Sequence, residues 1–196
     1  MIISDKLDQS IREFMSQDRY GTVRCALEHL RGRVLVETGS LRERDWGGST
    51  YIFGLAAVVV GGFLYSIDID QKSQLIAREL LRPIGKFLGF PCGDSVEILM
   101  KMRNEVSRID LLYLDSAGVG PLNNGTTGVE AYQNHSLAEI KAAWPLLHDD
   151  SVILLDDDLK GHEWGKPLKT REFLTVNGWV CKMDEWQSVW VSGDRR

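Results

Sequence analysis

Arg33-Val34-Leu35-Val36-Glu37-Thr38-Gly39-Ser40 decides the reading of this chain, taken with Gly47-Gly48-Ser49-Thr50 and with Gly62-Phe63-Leu64-Tyr65-Ser66-Ile67-Asp68. The first apolar run ends in a tight turn, a small-residue cluster opens the next segment, and a second apolar run ends in a carboxylate. Strand, glycine turn, helix and acid-tipped strand make a nucleotide-binding half-fold. Glycine lets the backbone come close to a ligand, and Asp68 can accept hydrogen bonds from two ribose hydroxyls. The pattern points to a nucleoside cofactor.

A dinucleotide site is the first alternative. It wants G-x-G-x-x-G running straight into a helix. Here the turn supplies Gly39 and Ser40, followed by the polar insert Leu41-Arg42-Glu43-Arg44-Asp45-Trp46. Glu37 would repel a pyrophosphate and suits a cationic ligand instead. S-adenosylmethionine carries an ammonium and a sulfonium and has no phosphate. The sequence E-x-G-S…G-G-S-T followed by S-I-D-I-D resembles the class I S-adenosylmethionine-dependent methyltransferases. An NAD(P)-dependent oxidoreductase, an ordinary βαβ unit with turn glycines and a non-catalytic cofactor-binding subunit remain as alternatives.

Composition fits a compact enzyme. The chain has 196 residues and a net charge of −5, with acidic and basic residues interspersed. One domain is expected, with N-terminal helices in residues 1–31 and a cofactor-binding and catalytic core in 32–196. No nucleic-acid surface is expected, because the basic clusters are small and mixed with acids. Cys25, Cys92 and Cys181 have no C-x-x-C spacing, which suits free thiols in a reducing compartment. The N-terminus lacks a signal-type apolar core, and residues 52–64 are too short to span a bilayer. A cytoplasmic protein without membrane association is expected. The N-terminal helices would cover the active site or form a homodimer contact.

Working outward from the opening stretch, residues 5–16 and 22–30 read as helices and 33–37 as the first strand. A helix over 49–59, a strand over 63–67 and a helix over 71–82 follow. Residues 86–90 read as a weak third strand, 95–105 as a helix and 109–114 as a strong fourth strand buried on both faces. A long Gly- and Asn-rich loop is expected over 116–134, then a helix over 135–147 and a fifth strand over 151–155. A helix over 166–176 and a hairpin of 178–183 with 187–191 complete the chain. The fold class is α/β: a Rossmann-like three-layer sandwich with a seven-stranded, mostly parallel sheet and an antiparallel last strand. The resemblance then covers roughly residues 33–192.

The resemblance implies a role for each strand end. Glu37, Gly39 and Ser40 would surround the methionine part of S-adenosyl-L-methionine, with Ser49 close by. Asp68 would bind the ribose, and Ile69 or Asp70 would lie along the adenine edge. Gly93-Asp94-Ser95 resembles the G-D-[SA] turn that meets the adenine amino group. The insert around 42–45 departs from the family's uninterrupted first turn.

A second constellation is acidic. Asp115 ends the fourth strand, and Asp156-Asp157-Asp158 follow the fifth. Carboxylates gathered at one sheet edge suit Mg²⁺, which takes oxygen ligands. The strand-five run resembles the D-[DN] signature of catechol-type and macrocin-type metal-dependent O-methyltransferases, which implies Asp115, Asp157 and Asp158 as metal ligands. A solvated acidic loop is the alternative. His135 is the candidate general base beside Asp115, or else a helix-start residue, with His162 as its rival. Lys160 would steer an anionic substrate. Tyr132, Trp164 and Trp46 are candidates for stacking on a small-molecule acceptor, and Gly118, Gly120 and Gly125 for hinges of the long loop. The implied reaction is O-methylation of a small hydroxylated metabolite, with or without a divalent metal.

Overall fold

Among the described residues, seven α-helices and seven strands follow one another in the order the apolar periods predict. The structure, a computed structural model, describes residues 3–40, 48–116, 128–158 and 165–193. Helices α1 (Asp5–Phe14) and α2 (Gln17–His29) precede β1 (Val34–Thr38), α3 (Gly48–Val60) and β2 (Phe63–Ile67). Next come α4 (Gln71–Leu80), a 3-10 turn, β3 (Leu88–Gly89), α5 (Ser95–Met102) and β4 (Leu111–Leu114). Helix α6 (Val129–Ala143), β5 (Val152–Leu155), α7 (Leu168–Val176), β6 (Trp179–Asp184) and β7 (Ser188–Ser192) finish it.

The strands form one seven-stranded sheet in the order β3-β2-β1-β4-β5-β7-β6. Pairings from β3 through β5 are parallel, and β7 runs antiparallel to both β5 and β6. Alternating side chains feed two cores. Leu35, Leu64, Leu111 and Val152 pack under Leu7, Ile11, Val23, Leu27 and Phe53 from α1, α2 and α3. Val36, Leu112, Ile153 and Trp190 pack under Leu99, Ile140 and Leu174 from α5, α6 and α7. Burying each such side chain contributes about 1.5–3 kcal/mol. Strand order reverses between β1 and β4, so the crevice at their C-terminal ends is the ligand-binding switch point of this architecture.

Three expectations need correction. Helix α6 begins at Val129, so residues 129–134 are helix and His135 lies well inside it rather than at its start. The polar run Glu130-Ala131-Tyr132-Gln133-Asn134 hid the helix, although Gln133 and Ser136 are on its buried side. Helix α7 begins at Leu168, after Pro167, because the residue before a proline avoids the helical region. The fourth strand is apolar only from Leu111 onward. Asp110 is buried, and its carboxylate accepts hydrogen bonds from the Arg33 and Val34 amides, both at 2.8 Å. That acid ties the entry of β1 to β4 at the edge opposite the switch point. Among the described residues, no helix is long and apolar enough to cross a membrane.

Candidate functional site

At the tip of β1 the strand parity turns Glu37 inward. Its side chain is fully buried; Oε1 accepts from Ser66 Oγ at 2.6 Å, and Oε2 has no hydrogen-bond partner among the described residues. Burial pushes this carboxyl up to about 7, although the hydroxyls of Ser66, Thr50 and Ser49 pull it back and Asp68 adds to the rise. Ser49 and Thr50 sit at the N-terminus of α3 and are themselves buried. A buried acid with an unsatisfied oxygen is the arrangement a cationic ligand would complete.

Gly39 follows with φ +90°, and a Cβ there would lie 2.6 Å from the Asp115 carbonyl oxygen. The turn therefore needs glycine both for its dihedral and for the close approach of β1 to β4. The Ser40 amide donates to Asp68 Oδ2 at 2.9 Å, and the Asp70 amide donates to Oδ1 at 2.8 Å. These two bonds fix the Asp68 carboxylate at the end of β2, and each oxygen keeps a further lone pair for a diol. Ser40 itself faces inward: its Oγ lies 2.6 Å from Ser66 Oγ and accepts from Gln74 Nε2 at 3.2 Å. Gln74 also donates to the carbonyls of Ser66 and Pro91. Ser66 and Gln74 were not anticipated, yet Ser66 shares the parity of Asp68 in an apolar strand, which is a readable signal.

Past β2, Ile69 is 53% exposed, an apolar surface beside Asp68. Asp70 is the N-cap of α4, accepting from the Lys72 and Ser73 amides. Asp94 caps α5 through the Glu97 amide, so Ser95 opens that helix at the N-terminal end where backbone donors point outward.

The acidic edge is assembled differently from the sequence expectation. Register sets Leu114 beside Leu155, so the next residues, Asp115 and Asp156, stand side by side. Asp115, Asp156 and Asp157 each bring one oxygen within 4.8 Å of the others. Asp158 is not among them. It is fully buried, and Arg171 Nη1 donates to its Oδ2 at 2.6 Å, which ties α7 to the segment that follows β5. Asp157 adopts φ 53°, a conformation a non-glycine residue rarely holds, and this bend separates the two acids.

Two cations absent from the sequence reading enter this cluster. Lys166 is nearly buried, with Nζ 3.2 Å from Asp115 Oδ1 and 3.4 Å from Asp157 Oδ2. Arg19 of α2 lies 3.1 Å from Asp156 Oδ2. Tyr113 donates to Asp115 Oδ2 at 3.2 Å. Gln187 donates to Tyr113 Oη and Asp156 Oδ1, while accepting from Thr22. Burial, and then the charge of Asp156, push the Asp115 carboxyl well above the usual carboxylate range, against the pull of Lys166. Burial works the same way on Asp156, but its hydrogen bond with Asp115 and the charges of Lys166 and Arg19 hold it below its ordinary value. As a Mg²⁺ site the cluster fits poorly, because an ammonium already fills the space between two of the three carboxylates.

His135 joins a separate cluster on the other face of β4. Its Nε2 lies 3.2 Å from Ser95 Oγ and 3.6 Å from Glu139 Oε1, and Ser116 Oγ donates to that same Glu139 oxygen. Burial lowers the His135 pKa, but the hydrogen bond and charge of Glu139 outweigh it and raise it overall. Trp46, Trp164, Lys160, His162, Gly118, Gly120 and Gly125 lie outside the described residues.

No protein-family model and no curated protein matches this chain. Solved structures do match over nearly its whole length. The calicheamicin methyltransferase CalS11 aligns at 13% identity and TM-score 0.63, over 99% of this chain and 95% of that one. The O-methyltransferase TomG from Streptomyces achromogenes, involved in tomaymycin synthesis and solved with SAM, aligns at 15% identity and TM-score 0.59, over 96% and 88%. MycE, a methyltransferase of the mycinamycin pathway in complex with Mg and SAH, aligns at 14% identity and TM-score 0.62, over 96% of this chain and 55% of its own. The chain has the Rossmann-like fold of the class I S-adenosylmethionine-dependent methyltransferases.

Proposed function

We propose that the protein is an S-adenosylmethionine-dependent methyltransferase acting on a hydroxyl of a small-molecule acceptor. The observation that carries this reading is the buried Glu37, with one oxygen unsatisfied, beside the Gly39 turn and the fixed Asp68 carboxylate. In one crevice they offer a counter-charge for an ammonium, a close backbone and a diol acceptor. A dinucleotide is disfavoured, since its pyrophosphate would meet the buried acid.

When bound, the cofactor supplies an electrophilic methyl on a good leaving group. The protein's contribution is then largely alignment, which can lower the barrier by about 7–11 kcal/mol. Glu37 and Asp68 hold the donor, and the Asp115–Asp156–Lys166 edge is the polar surface nearest the switch point for the acceptor. Divalent-metal assistance is a second reading, favoured by the three carboxylates, but it requires Lys166 to leave them. His135 is disfavoured as the base, because Ser95 and Glu139 occupy its Nε2.

Calorimetric titration with S-adenosylmethionine tests the reading. Micromolar binding is expected in the wild type, and Asp68→Ala should weaken it at least about tenfold through loss of a charge-assisted hydrogen-bonding pair, with circular dichroism checking the fold because the Ser40 and Asp70 amides also lose their acceptor. Binding of NAD in place of S-adenosylmethionine would overturn it. With binding established, S-adenosylhomocysteine release across a panel of hydroxylated acceptors identifies the substrate.

A further inference from the structure

Lys166 is 7% exposed and anchored twice over. Its amide donates to the Asp157 carbonyl at 3.1 Å, and its ammonium reaches back over the same turn to Asp157 and across to Asp115. Arg19, from α2, approaches Asp156 at 3.1 Å and Asp157 at 3.8 Å. Every carboxylate of the cluster thus has a covalently tethered cationic partner. A Mg²⁺ ion would need metal–oxygen distances of about 2.0–2.1 Å to these same oxygens. It would have to displace that ammonium, or share a low-dielectric site with it, and like charges that close repel strongly.

We propose that Lys166 is the resident cation of this edge, standing where a divalent ion would otherwise bind, and that it positions the acceptor hydroxyl in place of a metal. An ammonium has three donors. Two are directed at Asp115 and Asp157, and the third serves the acceptor oxygen. In the transfer, the oxygen–carbon bond forms as the methyl–sulfur bond breaks, and that electron pair stays on sulfur. The hydroxyl proton passes to Asp157, which is more exposed than Asp115 and Asp156 and hands it on to water. One hydroxyl suffices for this arrangement, whereas chelation by a metal favours two adjacent oxygens. The acceptor role rests on the methyltransferase reading above; the exclusion of metal does not.

The test is a Mn²⁺ titration followed by electron paramagnetic resonance, on wild type, Lys166→Met and Lys166→Arg, with circular dichroism on each. Wild type and Lys166→Arg should bind no Mn²⁺ tighter than about 1 mM, the weak end of carboxylate sites. Lys166→Met should gain a site at least about tenfold tighter, and adding Asp156→Asn should abolish it. Stoichiometric micromolar binding by wild type that Asp156→Asn removes would overturn the proposal. So would a folded Lys166→Met that stays blind to metal. If Lys166→Met does not fold, the wild-type titration with and without Asp156→Asn decides alone. S-adenosylmethionine binding is measured on the same samples: its absence defeats the methyltransferase reading, while the Mn²⁺ result still decides the place of Lys166.

Discussion

Glu37 makes cofactor binding depend on pH in a calculable way. With its pKa raised from 4.5 to about 7 by burial, the acid is largely protonated at pH 6 and largely ionised at pH 8. A cationic ligand binds the ionised form, so apparent affinity for S-adenosylmethionine should fall about tenfold from pH 8 to pH 6, with nearly one proton released per ligand at the lower pH. Calorimetry in two buffers of different ionisation enthalpy measures both quantities. Glu37→Gln should bind at least about tenfold more weakly, since a charged hydrogen bond contributes about 1.5–3 kcal/mol, and should lose this pH dependence. The ligand-free protein supplies an independent check. A group whose folded pKa is raised lends its stability below the unfolded pKa and loses it as pH rises through the folded value. At 1.36 kcal/mol per unit, the rise is worth about 3 kcal/mol against the wild type above pH 8. Glu37→Gln should therefore melt higher than wild type at pH 8.5, with the advantage gone near pH 4.5. A dissociation constant flat between pH 6 and 8, or a pH dependence that survives in Glu37→Gln, would refute the assignment of Glu37 to the cationic end of the ligand.

Two further outcomes follow from the site. Gly39→Ala forces a left-handed dihedral on alanine and sets its Cβ against the Asp115 carbonyl, so chemical denaturation should show a loss of at least about 2 kcal/mol, with cofactor binding impaired as β1 and β4 separate. His135→Gln should cost about 1–3 kcal/mol by stripping a partner from buried Glu139. Because the folded pKa of His135 is raised and that of Glu139 lowered, that loss should be larger at pH 6 than at pH 9, with S-adenosylmethionine affinity nearly unchanged. Thermal melts at the two pH values and a calorimetric titration read it; a collapse in affinity would instead place His135 in the cofactor site.

The part of the site read from the sequence sits on strand ends, where local rules apply. Glu37, Ser66 and Asp68 share one face because strands alternate, and that face is fixed by the neighbouring apolar residues. Even Asp156 was within reach, because a parallel register that pairs Leu114 with Leu155 must set Asp115 beside Asp156. Three consecutive aspartates conceal that choice until the register is known, and the third is drawn away by Arg171 from α7. Lys166 and Arg19 carry no local signal of this kind. Each lies among ordinary polar neighbours, and each reaches the edge only because tertiary packing delivers it: α2 is laid across β5 and β7, and the turn before α7 is folded back on Asp157. The sheet thus writes its ligands into the alternation of its strands, whereas the covering segments decide what neutralises them. Over the same row of acids that reads from sequence as a metal site, those segments set an ammonium within 3.4 Å of both Asp115 and Asp157.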